Sequence, residues 1–316
     1  MKKIAYLFPG QGAQYTNMAM DLISSNAVVS LFQTASDILG KDIKEILKSD
    51  ADTLKRTDVS QPAITAANLA AAMYLKEKGF SPAACAGFSL GEYAALVCAG
   101  VIDSADCFRL IKARGEAMQK AADNLRNKSG DKTPGMAAVI GLSPEQAESL
   151  IEKWREEGLK DLYAANINSY KQLVISGSDS ALAEAENKFK EAGAKRVIRL
   201  QVAGPFHSPL IKEAAEDFKT VLEKINFNDP KIAIFSNVTG KQIKTGAAAK
   251  ELAVMQITSP VRWVDEEAAI VAFGVDACFE TGPGNVLQGL WKDTKSEIPV
   301  YAAGTAEEIE NITLGE

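Results

Sequence analysis

The chain of 316 residues contains a single histidine, His207. One imidazole excludes a histidine-rich metal centre and leaves any serine nucleophile only one imidazole as its base. Cysteine is sparse as well. Cys85, Cys98, Cys107 and Cys278 show no C-x-x-C spacing and sit among apolar neighbours. They read as reduced core residues of a cytosolic protein, not as a disulfide framework or a zinc site. No apolar run reaches the roughly 18 residues that a membrane span needs. The opening stretch around Lys2-Lys3-Ile4-Ala5-Tyr6-Leu7-Phe8 has too short an apolar part for a signal peptide and reads as a first buried strand. Basic charge is not in excess either. The 35 Lys and Arg against 41 Asp and Glu leave a net charge of −6, which argues against a broad nucleic-acid-binding surface. With 47% hydrophobic and 24% charged residues, the composition is that of a globular protein and excludes disorder.

Apolar runs alternate with helical patterns along the chain. Strands are expected at 4–8 and 83–87, with an Ala-rich helix at 61–77 between them and helices at 91–99 and 104–122 after them. Such β–α alternation predicts a mainly parallel sheet with helices on both faces. The segment 123–134 (DNLRNKSGDKTP) is polar, carries no apolar period and reads as a mobile connector. Beyond it the order of expected elements changes to βαββαβ: strand 135–142, helix from Ser143 to about 157, strands 162–167 and 172–176, helix 181–192 and strand 195–200. That order is the ferredoxin-like unit. Strands at 232–236 and 277–280 resume the first pattern. The expected architecture is a large α/β-hydrolase-like domain, 1–130 and 201–316, with a small ferredoxin-like domain inserted at 131–200.

Gly87-Phe88-Ser89-Leu90-Gly91 follows an expected strand and opens an expected helix, the context of a G-x-S-x-G nucleophile elbow. Its flanking glycines let strand and helix approach closely, and the sharp turn lifts the Ser89 hydroxyl clear of the backbone. The amide of Leu90, at the helix N-terminus, then points at an oxygen held near Ser89. A plain Gly-Ser turn before a helix is the structural alternative. A serine needs a base to attack at neutral pH. A Ser-Lys pair fails locally, because position 92 is Glu and the one S-x-x-K, Ser129 to Lys132, lies in the polar connector. His207, in the Gly-Pro-Phe-His-Ser-Pro loop at 204–209, remains.

Arg114 is singled out by helical geometry. At about 100° per residue it falls within the arc of Cys107, Leu110, Ile111, Met118, Ala121 and Ala122, opposite Arg109, Lys112, Glu116 and Lys120. A buried guanidinium must meet either an internal carboxylate or an anionic ligand, and the pattern alone leaves both open. Gly115 beside it leaves room and favours a ligand. Phe8-Pro9-Gly10-Gln11-Gly12-Ala13-Gln14 fits neither G-x-G-x-x-G nor a P-loop, and its expected role is to bring the Gln11 amide to the elbow. Lys188, Lys190, Lys195, Arg196 and Arg199 cluster in the inserted unit, either as a solvated face or as a docking patch for an acidic partner.

Together, in order, FPGQGAQ (8–14), QPAI (61–64), GFSLGEYAALVCAGVI (87–102), ARGEAM (113–118), PFHSPL (205–210), SPVRW (259–263) and ETGPGNVLQGL (280–290) resemble the malonyl-CoA:acyl-carrier-protein transacylases of bacterial type II fatty acid synthesis. The resemblance covers essentially the whole chain. It implies ping-pong acyl transfer in which Ser89 attacks malonyl-CoA with His207 as base. The amides of Gln11 and Leu90 would hold the oxyanion, and Arg114 would bind the malonyl carboxylate. It also implies that a backbone carbonyl orients His207, with Gln256 matching the position next to it, that the phosphopantetheine thiol of acyl carrier protein is the acceptor, and that no metal or redox cofactor takes part. Acyl carrier protein is strongly acidic, which favours docking on the basic cluster.

Three departures stand out. Phe88 occupies the position where many relatives have His. The hairpin reads Asn166-Ile167-Asn168-Ser169-Tyr170-Lys171-Gln172 where the family has a Pro-Gly turn. The connector at 123–134 looks long. Phe206 before the histidine fits a preference for malonyl over α-branched acyl groups. A serine esterase or thioesterase shares the elbow and the histidine. It would, however, use an HGGG-type loop needing a second histidine, and it gives Arg114 no task. A non-catalytic acyltransferase-like scaffold predicts decay of the Ser, His and Arg set, which is intact. A polyketide acyltransferase would use the same residues.

Overall fold

The computed structural model describes residues 2–129 and 132–314. Nine strands fall into two sheets among these residues: β1 Ile4–Phe8, β2 Pro82–Gly87, β3 Gly135–Ile140, β4 Leu162–Ser169, β5 Gln172–Gly177, β6 Arg196–Arg199, β7 Ala233–Ile234, β8 Ala277–Glu280 and β9 Val300–Ala302. The larger sheet is parallel throughout, in the order β7-β2-β1-β8-β9. β1 lies at its centre and is buried at every position, because helices cover both faces of a parallel sheet. Its side chains divide accordingly. Ile4, Tyr6 and Phe8 enter one core with helices Thr57–Glu77 and Ser104–Ser129. Ala5 and Leu7 enter a second with Phe235, Trp263, Ile270 and Trp291.

The smaller sheet is antiparallel, in the order β4-β5-β3-β6, and is backed by helices Pro144–Glu156 and Asp179–Glu191. A core of its own, with Ile151, Trp154, Ile175, Leu182 and Phe189, lies between sheet and helices. Ser143 caps the first of these helices in a reciprocal capping box with Gln146, which explains why the Ser-Pro-Glu signal marks its start. The smaller sheet meets the rest of the chain where Asn166 of β4 bridges Val261, just before helix Trp263–Phe273, with the amide of Ile167 2.8 Å from the Val261 carbonyl.

One expectation is overturned. Residues 123–129 are not a mobile connector but the last two turns of helix Ser104–Ser129. Apolar periodicity is missing there because the partners are mostly polar. Asn124 donates to Glu213, Arg126 donates to the Ala203 carbonyl, and one turn earlier Lys120 pairs with Asp217, while Leu125 packs on the main core. The domain boundary expected at 130/131 lies outside the described residues.

Other ends shift by a few residues. The Ala-rich helix begins at Thr57, four positions before the expected start, and carries Pro62 inside it. Gly115 also has a different reason from the one expected. A Cβ there would lie 3.1 Å from the Thr57 carbonyl oxygen, so the glycine lets two buried helices approach and does not make room at the guanidinium.

Candidate active site

β2 ends at Gly87 and helix Gly91–Cys98 begins four residues later, with Ser89 at the apex of the turn. Side chains are sterically forbidden at both glycines. A Cβ on Gly87 would lie 2.1 Å from the Gly91 carbonyl carbon, and one on Gly91 would lie 2.1 Å from the Phe8 carbonyl oxygen. Ser89 takes φ +51°, the left-handed region, which is uncommon for a residue with a side chain. This strain sets its hydroxyl on the floor of a cavity of about 220 Å³ lined by Gln11, Leu90, Arg114, Asn168, Phe206 and Val286 among others.

The Ser89 hydroxyl lies 2.8 Å from His207 Nε2. On the far side of the ring, Nδ1 is 2.9 Å from the backbone carbonyl of Gln256 itself. A carbonyl only accepts, so Nδ1 carries the proton and Nε2 is free to accept from serine. Burial, followed by the nearby Arg114 charge, pushes the imidazole pKa down to about 4, so His207 is neutral near pH 7 and able to take a proton. Its own φ is +56°, a second strained position in the same site. A second cavity of about 290 Å³, walled by Glu148, Arg155, Tyr163 and Pro209, reaches His207 from another side.

Arg114 is buried in helix Ser104–Ser129, and the partners it meets there are neutral. It makes no carboxylate ion pair among the described residues. Nη1 donates to Gln61 Oε1 at 2.8 Å, and Nη2 donates to Gln256 Oε1 at 3.0 Å and to Ser89 Oγ at 3.2 Å. The guanidinium carbon stands 5.5 Å over the Tyr93 ring, and Nε has no partner among the described residues. The nearest acid, Glu92, is itself buried, and desolvation raises its pKa to about 7. A cation held by neutral amides beside a serine hydroxyl is electrostatically matched to an incoming anion.

Gln11 and Leu90 also line the cavity, and among the described residues neither backbone amide has a protein acceptor. Free amides lining the cavity that holds a serine hydroxyl are donors of the kind a developing oxyanion needs. The basic residues do not join this group. None of the five lines the cavity, and three are neutralised locally: Lys190 by Glu186 at 2.7 Å, Arg199 by Asp179 at 3.2 Å, and Lys188 by Glu184 at 3.7 Å. Among the described residues Lys195 and Arg196 have no carboxylate within ion-pair distance.

Several residues at the site escape sequence reasoning. Gln61 holds Arg114, a contact that its place in QPAI and in an Ala-rich run does not reveal. Asn166, Asn168 and Gln172 enter the cavity from the small sheet, and the terminal oxygen of Asn168 has no partner among the described residues. Asn237 reads as nothing more than a chance glycosylation triplet, but it sits under the elbow with its side-chain oxygen 2.7 Å from the Ser89 amide. A polar residue just beyond the C-terminal edge of a parallel strand was the available signal.

A parallel-sheet α/β core with a strained serine bonded to a neutral buried histidine is the framework of an enzyme suited to serine-based acyl chemistry. The chain belongs to the acyl transferase domain family, which matches residues 5–314. It is 41% identical over 296 residues to the malonyl CoA-acyl carrier protein transacylase of Haemophilus influenzae, covering 92% of each chain. Against the Bacillus subtilis protein of the same name, identity is 38% over 312 residues, covering 98% of this chain and 96% of the relative. Its fold also matches a malonyl-transacylase solved in complex with a type II PKS acyl-carrier protein, with a TM-score of 0.88 and 36% identity over 98% of each chain.

Proposed function

We propose that this chain transfers the malonyl group from malonyl-CoA to the phosphopantetheine thiol of acyl carrier protein through a malonyl ester on Ser89. One observation carries the reading: Ser89 Oγ lies 2.8 Å from a neutral imidazole and 3.2 Å from a guanidinium that has no carboxylate partner among the described residues. His207 Nε2 removes the hydroxyl proton as Oγ attacks the thioester carbonyl, and the oxyanion sits between the amides of Gln11 and Leu90. Collapse breaks the C–S bond, and the proton on His207 passes to the departing CoA thiolate. In the second half the carrier thiol gives its proton to His207 and attacks the ester, and Ser89 Oγ leaves with that proton. Arg114 holds the malonyl carboxylate in both halves and so selects a carboxylated acyl group. The thioester supplies the driving force, and the chemistry needs no metal or redox cofactor.

The same proposal places the large α/β-hydrolase-like unit at 1–130 and 201–316 and an inserted ferredoxin-like unit at 131–200. The order β4-β5-β3-β6 supports the second assignment. Gln172 and Asn168 give the small unit the role of covering the acyl site, and Lys195 and Arg196 are its charged contacts for an acidic carrier. The proposed setting is the cytoplasm; no described helix is long and apolar enough to cross a membrane. Fatty acid synthesis is the process served. The likeness to a transacylase bound to a polyketide carrier favours that pathway as the second reading.

Mixing the protein with malonyl-CoA, with and without holo-acyl carrier protein, tests the reading. Malonyl-carrier should form much faster than free malonate; malonate released as fast as carrier is loaded would overturn the transferase reading in favour of a thioesterase.

A further inference from the structure

Beneath the elbow lies a fully buried side chain that the proposed chemistry does not use. Asn237 follows β7 and connects parts of the site that are far apart in sequence. Its Oδ1 accepts from the Ser89 amide at 2.7 Å and from Gln256 Nε2 at 3.2 Å. Nδ2 donates to the Gly87 carbonyl at 2.6 Å and to Glu266 Oε1 at 2.8 Å. Its own amide donates to Glu92 Oε2 at 2.6 Å, and its carbonyl accepts from Arg262. Every polar atom of the residue is therefore engaged.

The consequence follows from what those partners do. Ser89 at φ +51° turns its amide away from any strand neighbour, and Asn237 Oδ1 is the acceptor that satisfies it. Gln256 is held through Nε2 by that same oxygen and by the Ser89 carbonyl at 3.0 Å. It presents its backbone carbonyl to His207 and its Oε1 to Arg114. One amide side chain thus registers the hydroxyl, the imidazole support and the guanidinium against each other. We infer that Asn237 is a positioning residue that locks Ser89 and Gln256 in one frame, so that nucleophile, base and carboxylate-binding arginine keep reactive spacing.

The inference rests on the malonyl-transfer reading, and the experiment separates the two. Single-turnover formation of malonyl-enzyme is followed by intact-protein mass spectrometry at saturating malonyl-CoA, with the apparent KM measured alongside. If the wild-type protein forms no adduct on Ser89, the reading of the reaction fails, whatever Asn237 does. If it does form one, Asn237→Ala should lower the acylation rate constant about 100-fold or more with KM within about threefold. A rate constant within about threefold of wild type, or a loss confined to KM, would overturn the inference.

Asn237→Asp guards against a variant that does not fold, because it keeps the acceptor for Ser89 and Gln256 and loses only the two donors. The titratable groups facing this position are Glu92 and Glu266, with Arg114 beside the first and Glu267 and Asp265 beside the second. A third carboxyl among them can donate only when protonated. Acylation by Asn237→Asp should therefore approach wild type at low pH and fall away as pH rises, a base limb that the wild-type protein lacks. A flat ratio of variant to wild type across pH would contradict the positioning role.

Discussion

Arg114 is the residue to which the proposed malonyl transfer assigns substrate choice. Among the described residues its hydrogen bonds go to two glutamine oxygens and the Ser89 hydroxyl, so in the proposed reaction an arriving malonate carboxylate is its first full anionic partner. Arg114→Ala should cost on the order of 2–5 kcal/mol of malonyl binding and shift preference from malonyl-CoA towards acetyl-CoA. Competition between the two thioesters measures this, and an unchanged ratio would remove Arg114 from the role. His207 makes a prediction about pH. Its folded pKa near 4 lies below the ordinary histidine value of 6.5, so the neutral form is the one that folding favours. This contribution to stability is present above pH 6.5 and is lost as pH falls through 4. Wild type minus His207→Gln, by urea denaturation at pH 7.5 and 5, should show wild type losing stability relative to the variant at the lower pH. The acid limb of acylation should likewise fall near 4 and not near 6.5. Ser89, His207 and Arg114 were legible in the sequence because each stands out there: a serine between spaced glycines, the lone imidazole, a cation on an apolar arc. Gln61 and Asn237 were not, since an amide becomes informative only when its partners, here Arg114 and Ser89, are brought beside it.

At the scale of elements, the elbow depends on how closely strand and helix can approach. Gly91 sits so near the Phe8 carbonyl that a methyl group has nowhere to go. Gly91→Ala should destabilise by about 1–3 kcal/mol or more, visible as a lowered midpoint in chemical denaturation. The helix Ser104–Ser129 makes the opposite point about legibility. Its first turns announce themselves through Cys107, Leu110, Ile111 and Met118, whereas its last turns look like a linker because their partners include Glu213 and the Ala203 carbonyl. Periodicity detects apolar faces and misses a helix end held by polar contacts. Amide hydrogen exchange at Asn124 and Leu125 should show protection typical of helix; exchange at the rate of an open chain would restore the linker reading. β1 was legible to the residue, because continuous burial in a parallel sheet leaves an unbroken apolar run, and β8 too matched its expected span although it ends on the buried Glu280.

For the whole molecule, Ser89 at the end of a parallel strand and Asn166, Asn168 and Gln172 of the antiparallel unit line one cavity. The alternation of strand and helix, and its change after residue 134, made both layers readable from sequence. The meeting point at Asn166 and Val261 was not, because it joins segments nearly a hundred positions apart. If Lys195 and Arg196 receive the acidic carrier, exchanging both for Glu should raise KM for acyl carrier protein up to about tenfold while leaving acylation by malonyl-CoA unchanged. The most direct test of the account remains the covalent intermediate itself. Intact mass spectrometry and peptide mapping after brief exposure to malonyl-CoA should show one malonyl group on Ser89, lost on adding holo-acyl carrier protein as the carrier gains it, and absent from Ser89→Ala. An adduct elsewhere, or carrier loading that survives Ser89→Ala, would contradict it.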